Sequence, residues 1–113
     1  MNRFVREGIV REGQQGKRVL CIIPSREVPY VLNAIASSSD GVSSVRRAHG
    51  DQSITFDSGG KITFAHPGRG GLRGHAADLV VIDDVYYRDN MQTIYKELRP
   101  ALSASGGEIA TYT

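Results

Sequence analysis

The sequence predicts an α/β fold with a mainly parallel sheet flanked by helices, and three observations predict it. The runs VLCII (residues 19–23) and LVVI (residues 79–82) are apolar at every position, as in strands covered on both faces of a sheet. Each run is followed by apolar residues at helical spacing: Val28, Val31, Leu32 and Ile35 after the first, and Met91, Ile94, Tyr95, Leu98 and Leu102 after the second. Between them lies a glycine-centred segment with the composition of an inserted β-hairpin. At 113 residues, the chain is read as a single domain, 1–113.

The elements follow in order. Residues 2–12 predict a short helix with Phe4, Val5 and Ile9 on one side, weakened by Gly8, and residues 13–17 (GQQGK) a turn. Pro24 stops the first strand, and Ser25 is placed to cap the next helix, with Pro29 in its first turn. SSSDG ends that helix. In SITFDSGGKITF, a loop of Ser58, Gly59 and Gly60 sets Asp57 against Lys61, Phe56 against Ile62, Thr55 against Thr63 and Ile54 against Phe64. Residues 65–77 form a glycine-rich basic loop. After the strand at 79–82, Asp89 or Asn90 starts the last helix, Pro100 disturbs its final turn, and Gly106-Gly107 ends it. EIATYT reads as a final strand.

Composition excludes several classes. Hydrophobic residues make up 40% of the chain and charged residues 23%, as in ordinary globular proteins rather than disordered or fibrous ones. A net charge of +2 names no partner. The lone cysteine, Cys21, forms no internal disulfide and reads as a core thiol. With no signal peptide and no apolar run near 18 residues, the expectation is a soluble protein with no membrane segment. His49, His66 and His75 lack the spacing of a zinc site.

The chemistry centres on Asp83 and Asp84, which follow the second apolar run directly. In open α/β sheets, ligands sit beyond the carboxyl ends of the strands. Adjacent carboxylates there suit a hard cation: Mg²⁺ takes oxygen ligands and keeps waters for a phosphate substrate. A receiver-type phosphoacceptor site is excluded, because no later strand carries an aspartate.

Around these residues, LRGHAADLVVIDDV (residues 72–85) resembles the Walker B region of the ATPase domain of phage terminase large subunits, the DNA-packaging motors. In that family an Arg-Gly loop leads into an ADL strand ending in Asp-Asp or Asp-Glu. GKRVLCIIPSREV resembles the family's second core strand, and EIATYT the strand that couples hydrolysis to motion. The resemblance spans roughly residues 10–113. It implies a P-loop-ATPase-like (RecA-like) core in which Asp83 positions Mg²⁺ bound to ATP and Asp84 activates the attacking water. Arg73 then takes the Arg-Gly position, in contact with a phosphate or the DNA backbone, and Thr111, with Thr113, lies in the coupling strand. Glutamate is frequent at the second acidic position in the family, so Asp84 is a shorter base. The resemblance also implies the host cytoplasm as the place of action.

The phosphate cradle G-x-x-x-x-G-K-[ST] is absent from the sequence. GQQGKR lacks the first glycine, carries Arg18 in place of the hydroxyl residue, and precedes a strand instead of opening a helix. The expectation is therefore a partial ATPase-like domain, inactive by itself. A missing first strand at the sheet centre would expose apolar edges beside residues 19–23 and 79–82, favouring a homo-oligomer. Arg46, Arg47, Arg69 and Arg73 are candidates for a salt-sensitive contact with double-stranded DNA. The rival expectation is a non-enzymatic DNA- or protein-binding regulatory protein built on the same fold.

Overall fold

The structure, a computed structural model, describes residues 1–48, 50–68, 72 and 75–112, with residues 101 and 103–105 described in their backbone alone. The described elements are α1 (Arg3–Gln14), β1 (Arg18–Ile22), α2 (Val28–Ser38), β2 (Val42–Ala48), β3 (Asp51–Phe56), β4 (Lys61–Phe64), β5 (Leu79–Asp83), α3 (Met91–Ser105) and β6 (Glu108–Tyr112). Short 3₁₀ turns at Ser25–Glu27 and Arg88–Asn90 lead into α2 and α3.

The strands form one six-stranded mixed sheet in the order β2-β3-β4-β1-β5-β6. β1 pairs in parallel with β4 and with β5, and β5 in parallel with β6, whereas β2–β3 and β3–β4 are antiparallel. The fold is thus α/β with a mostly parallel sheet. Alternation along β1 sends Val19 and Cys21 to one face and Leu20 and Ile22 to the other. The first face packs on Ile9 of α1 and on Val28, Val31, Leu32 and Ile35 of α2. The second packs on Ile94 and Leu98 of α3. This two-sided burial is why the two strands read as unbroken apolar runs.

Two features of the sheet correct the expectations. β1 and β5 are bonded to each other, Val19 to Leu79 through Ile22 to Ile82, so neither presents the unpaired apolar edge expected of it. Among the described residues, the open edges fall on β2 and β6. The hairpin register also differs. Ile54 lies opposite Ile62, Ser53 opposite Thr63 and Gln52 opposite Phe64, a slip of two residues that keeps every side chain on its expected face. The three-residue loop is Asp57-Ser58-Gly59, closed by the Phe56 N–H on Gly60 O at 2.9 Å, with Gly59 at φ 91°. Gly60 is held elsewhere: a Cβ there would stand 1.9 Å from Gly13 O, and Ser58 Oγ donates to the same oxygen at 2.7 Å. Docking on α1 therefore sets the register.

The other differences are local. β2 lacks visible alternation because a bulge between Val42 and Ser44 shifts the register, placing Val42 and Val45, three apart, on one core. Ser25 starts a 3₁₀ turn rather than capping α2, which begins at Val28 with Pro29 in its first positions. Phe4 is 74% exposed, under the Arg3 guanidinium at 5.2 Å, because Val5 and Ile9 take the sheet-facing positions. α3 runs past Pro100 to Ser105, where Gly106 (φ 67°) ends it.

Candidate functional site

The carboxyl ends of β1, β5 and β6 lie side by side and collect the chemistry. Asp83 is the last residue of β5, half-buried, in register with Tyr112 of β6. Its Oδ1 accepts the Tyr86 N–H at 3.1 Å and its carbonyl accepts the Tyr87 N–H at 3.1 Å. The chain therefore folds back sharply over residues 84–87, held by the aspartate's own side chain. The Asp84 N–H donates to Tyr112 O at 2.9 Å and prolongs the β5–β6 ladder by one step. Strand alternation sends Asp83 to the side of Val81 and Asp84 toward the opposite side, so the two carboxylates diverge. Among the described residues, the Asp84 carboxylate has no hydrogen-bonding or ion-pairing partner.

Further residues complete the cluster, of which Glu27 and Arg26 were not singled out from sequence. Glu27, in the turn after β1, accepts from the α-amino group of Met1 at 3.0 Å. The Arg26 guanidinium lies 5.5 Å from the centre of the Tyr86 ring, which is half-exposed beside exposed Val85. Tyr86 meets Tyr87 edge to face, with ring centres 4.8 Å apart. Tyr87 is buried and donates to Ile23 O at 3.1 Å; burial, aided by Tyr86, Asp83 and Glu27, pushes its phenol up to about 12. The Tyr112 phenol is raised mainly by burial, then by Asp83 and Glu27, and its Oη is buried without a partner among the described residues. Burial also pushes the Cys21 thiol up to about 12, which makes it inert. That β1 ends beside β5 is the signal that would have found Arg26 and Glu27.

The sequence-selected residues are only partly united. Asp83, Asp84 and Thr111 share the carboxyl end of the sheet, with Thr111 exposed on β6 in register with Ile82. Arg73, Arg69, His49 and Thr113 lie outside the described residues. Arg46 and Arg47 are successive on β2 and so point to opposite faces. Arg46 pairs with Asp51 at 2.7 Å, and Arg47 donates to Asn33 Oδ1. Those two form no joint basic patch. His66 Nε2 lies 3.4 Å from Ser25 Oγ. Glu97 of α3, buried, accepts the Gly68 N–H at 3.0 Å and anchors the start of the glycine-rich loop.

As a metal site the cluster is sparse. Among the described residues, no three His, Cys, Asp or Glu side chains gather around one point. Asp83 has one carboxylate oxygen committed to Tyr86 and a second available, which fits the single-carboxylate mode in which Mg²⁺ is held mostly by water and phosphate. No helix among the described residues is long and apolar enough to cross a membrane. The chain matches no known protein family, no characterised protein and no solved structure.

Proposed function

We propose that the carboxyl ends of β1, β5 and β6 form the carboxylate half of a Mg²⁺–nucleotide site, in a chain that resembles the Walker B part of a phage terminase large subunit. The observation that carries this reading is the position of Asp83. It ends a strand flanked on both sides by parallel strands, half-exposed, with Oδ1 fixed by the Tyr86 N–H. The three segments that carry the resemblance are β1, β5 and β6, and they are adjacent and parallel. When bound, Mg²⁺ would neutralise phosphate charge. Asp83 would hold one of its waters, and the backbone bond to Tyr86 would keep the carboxylate in one rotamer. Asp84 is the candidate to orient a water, and Thr111, in register with Ile82, is the aliphatic hydroxyl that β6 offers one step before the Asp83 level. The chain has no phosphate cradle, so it supplies part of such a site and is not expected to turn over ATP by itself.

Calorimetric titration of ATP with Mg²⁺ into the native chain and into Asp83→Ala tests the reading. Mg²⁺-dependent binding that is lost in the variant supports it; no binding to either protein overturns it. Robust Mg²⁺-dependent hydrolysis by the purified chain would contradict the partial-site assignment.

A non-enzymatic scaffold that binds DNA or protein is the second reading. The satisfied state of the cluster favours it: Asp83 is used by the turn, Glu27 by the Met1 amine and one face of Tyr86 by Arg26. With Arg46 and Arg47 engaged on opposite faces, the four-arginine patch is reduced to Arg69 and Arg73 as candidates for a contact with double-stranded DNA.

A further inference from the structure

Among the described residues, the two open edges of the sheet are built differently. β2 carries a bulge between Val42 and Ser44 and two successive arginines, Arg46 and Arg47, devices that discourage edge-to-edge pairing. β6 (Glu108–Tyr112) is unbroken in register with β5 and contains no lysine, arginine, proline or bulge. The ladder determines which of its backbone groups are free. Glu108 N–H donates to Asp78 O at 3.0 Å, and Asp84 N–H donates to Tyr112 O at 2.9 Å. Glu108, Ala110 and Tyr112 therefore turn their N–H and C=O groups toward β5, and Ile109 and Thr111 turn theirs outward.

We propose that this edge pairs with β6 of a second copy, antiparallel, about a two-fold axis at Ala110. Outward-facing residues must meet, so Ile109 lies opposite Thr111 of the other copy, twice, giving four N–H···O bonds. Ala110 then faces its own symmetry mate at a non-hydrogen-bonded position, where strands approach to roughly 4.5 Å between Cα atoms. A small side chain suits that position, and Ala110 is exposed in the single chain. Glu108 falls opposite Tyr112, so like charges are not opposed. Sliding toward the amino end fails, because Gly106 at φ 67° leaves the extended conformation. On the α1 side, a groove of about 210 Å³ runs along the same edge, lined in part by Val5, Ile9, Ala110 and Tyr112, and the partner strand would border it. The two sheets become one, with isologous symmetry that closes at two copies. This pairing does not depend on nucleotide binding.

A five-residue strand pair with adjoining groove is small for an interface, so the expected dissociation constant is about 10–100 μM. Light scattering from roughly 5 to 500 μM should show the mass rise from one chain of 12.3 kDa toward two. Ala110→Cys should form a disulfide-linked dimer on mild oxidation, whereas Glu108→Cys, displaced from its own mate, should not. Buried Cys21 leaves the native chain as the uncross-linked control. Thr111→Pro removes an outward N–H and spares the ladder to β5, so it should hold the protein at one copy with its circular dichroism unchanged. If that variant misfolds, the Ala110→Cys result decides. A native mass of one chain at every concentration, or a dimer that neither links at residue 110 nor responds to Thr111→Pro, overturns the proposal.

Discussion

Arg18 and Asp78 clasp the amino ends of β1 and β5 through four bonds. The Arg18 N–H donates to Asp78 Oδ2 at 2.8 Å, its guanidinium reaches Oδ2 and Oδ1 at 3.2 Å each, and the Asp78 N–H returns to Arg18 O at 2.8 Å. Asp78 O also accepts from Glu108, so one residue fastens three parallel strands at the end opposite Asp83.

This clasp makes stability depend on acid. Hydrogen bonds from the Arg18 side chain and backbone hold the Asp78 carboxyl below its ordinary value of 3.8. A group depressed in the folded state stabilises above its unfolded value and loses that contribution as pH falls through the folded one. Both side chains are partly exposed, so the contribution is discounted to about 1 kcal/mol. Asp78→Asn should lower stability by about that amount at pH 7 and flatten the decline below pH about 4, as read by urea unfolding at a series of pH values.

Two glycines should respond to alanine in opposite senses. Gly8 is interior to α1 with open space around it, so Gly8→Ala should stabilise by about 0.5–1 kcal/mol. Gly60→Ala would force a methyl group to 1.9 Å from Gly13 O, a backbone atom, and should cost about 2 kcal/mol or more or displace the hairpin from α1. Thermal unfolding of the two variants beside the native chain checks both signs.

These contacts also mark what the sequence could and could not reveal. β1 and β5 are legible because burial on both faces leaves an unbroken apolar run, and the end of α3 because Gly106 supplies the left-handed residue that a helix stop requires. Asp83 at a strand end follows from the same run. The direct pairing of β1 with β5 was not legible, since about sixty residues separate them and no local pattern encodes a neighbour. Hairpin register depended on Gly60 meeting Gly13, a tertiary contact invisible to cross-strand pairing rules. β2 was hidden by its bulge, which breaks the period of two. Glu27 and Arg26 joined the site only because β1 and β5 end together.

Cys21 should be silent to thiol reagents in the folded protein. It is fully buried, and burial pushes its thiol up to about 12, so neither access nor thiolate is supplied at neutral pH. Labelling by an aromatic disulfide reagent should be slow under native conditions and fast in denaturant. Because modification then requires opening of the core, its native rate reports the free energy of that opening.

Tyr87 and Tyr112 offer a contrast that isolates one hydrogen bond. Removing the Tyr87 hydroxyl leaves the buried Ile23 carbonyl without its donor, so Tyr87→Phe should cost about 1–2 kcal/mol. The Tyr112 hydroxyl is buried without a partner among the described residues, so Tyr112→Phe discards a desolvated polar group and should be neutral or stabilising by up to about 1 kcal/mol. Alkaline titration separates the two further. Both phenols are raised by burial, Tyr87 to about 12, so each contributes stability that is complete below pH about 10 and is lost as pH climbs through the folded value. Each Phe variant should therefore unfold with a shallower alkaline slope than the native chain, while only Tyr87→Phe is weaker at pH 7. Equal losses at pH 7 from both variants would show that the Tyr112 hydroxyl has a partner in solution.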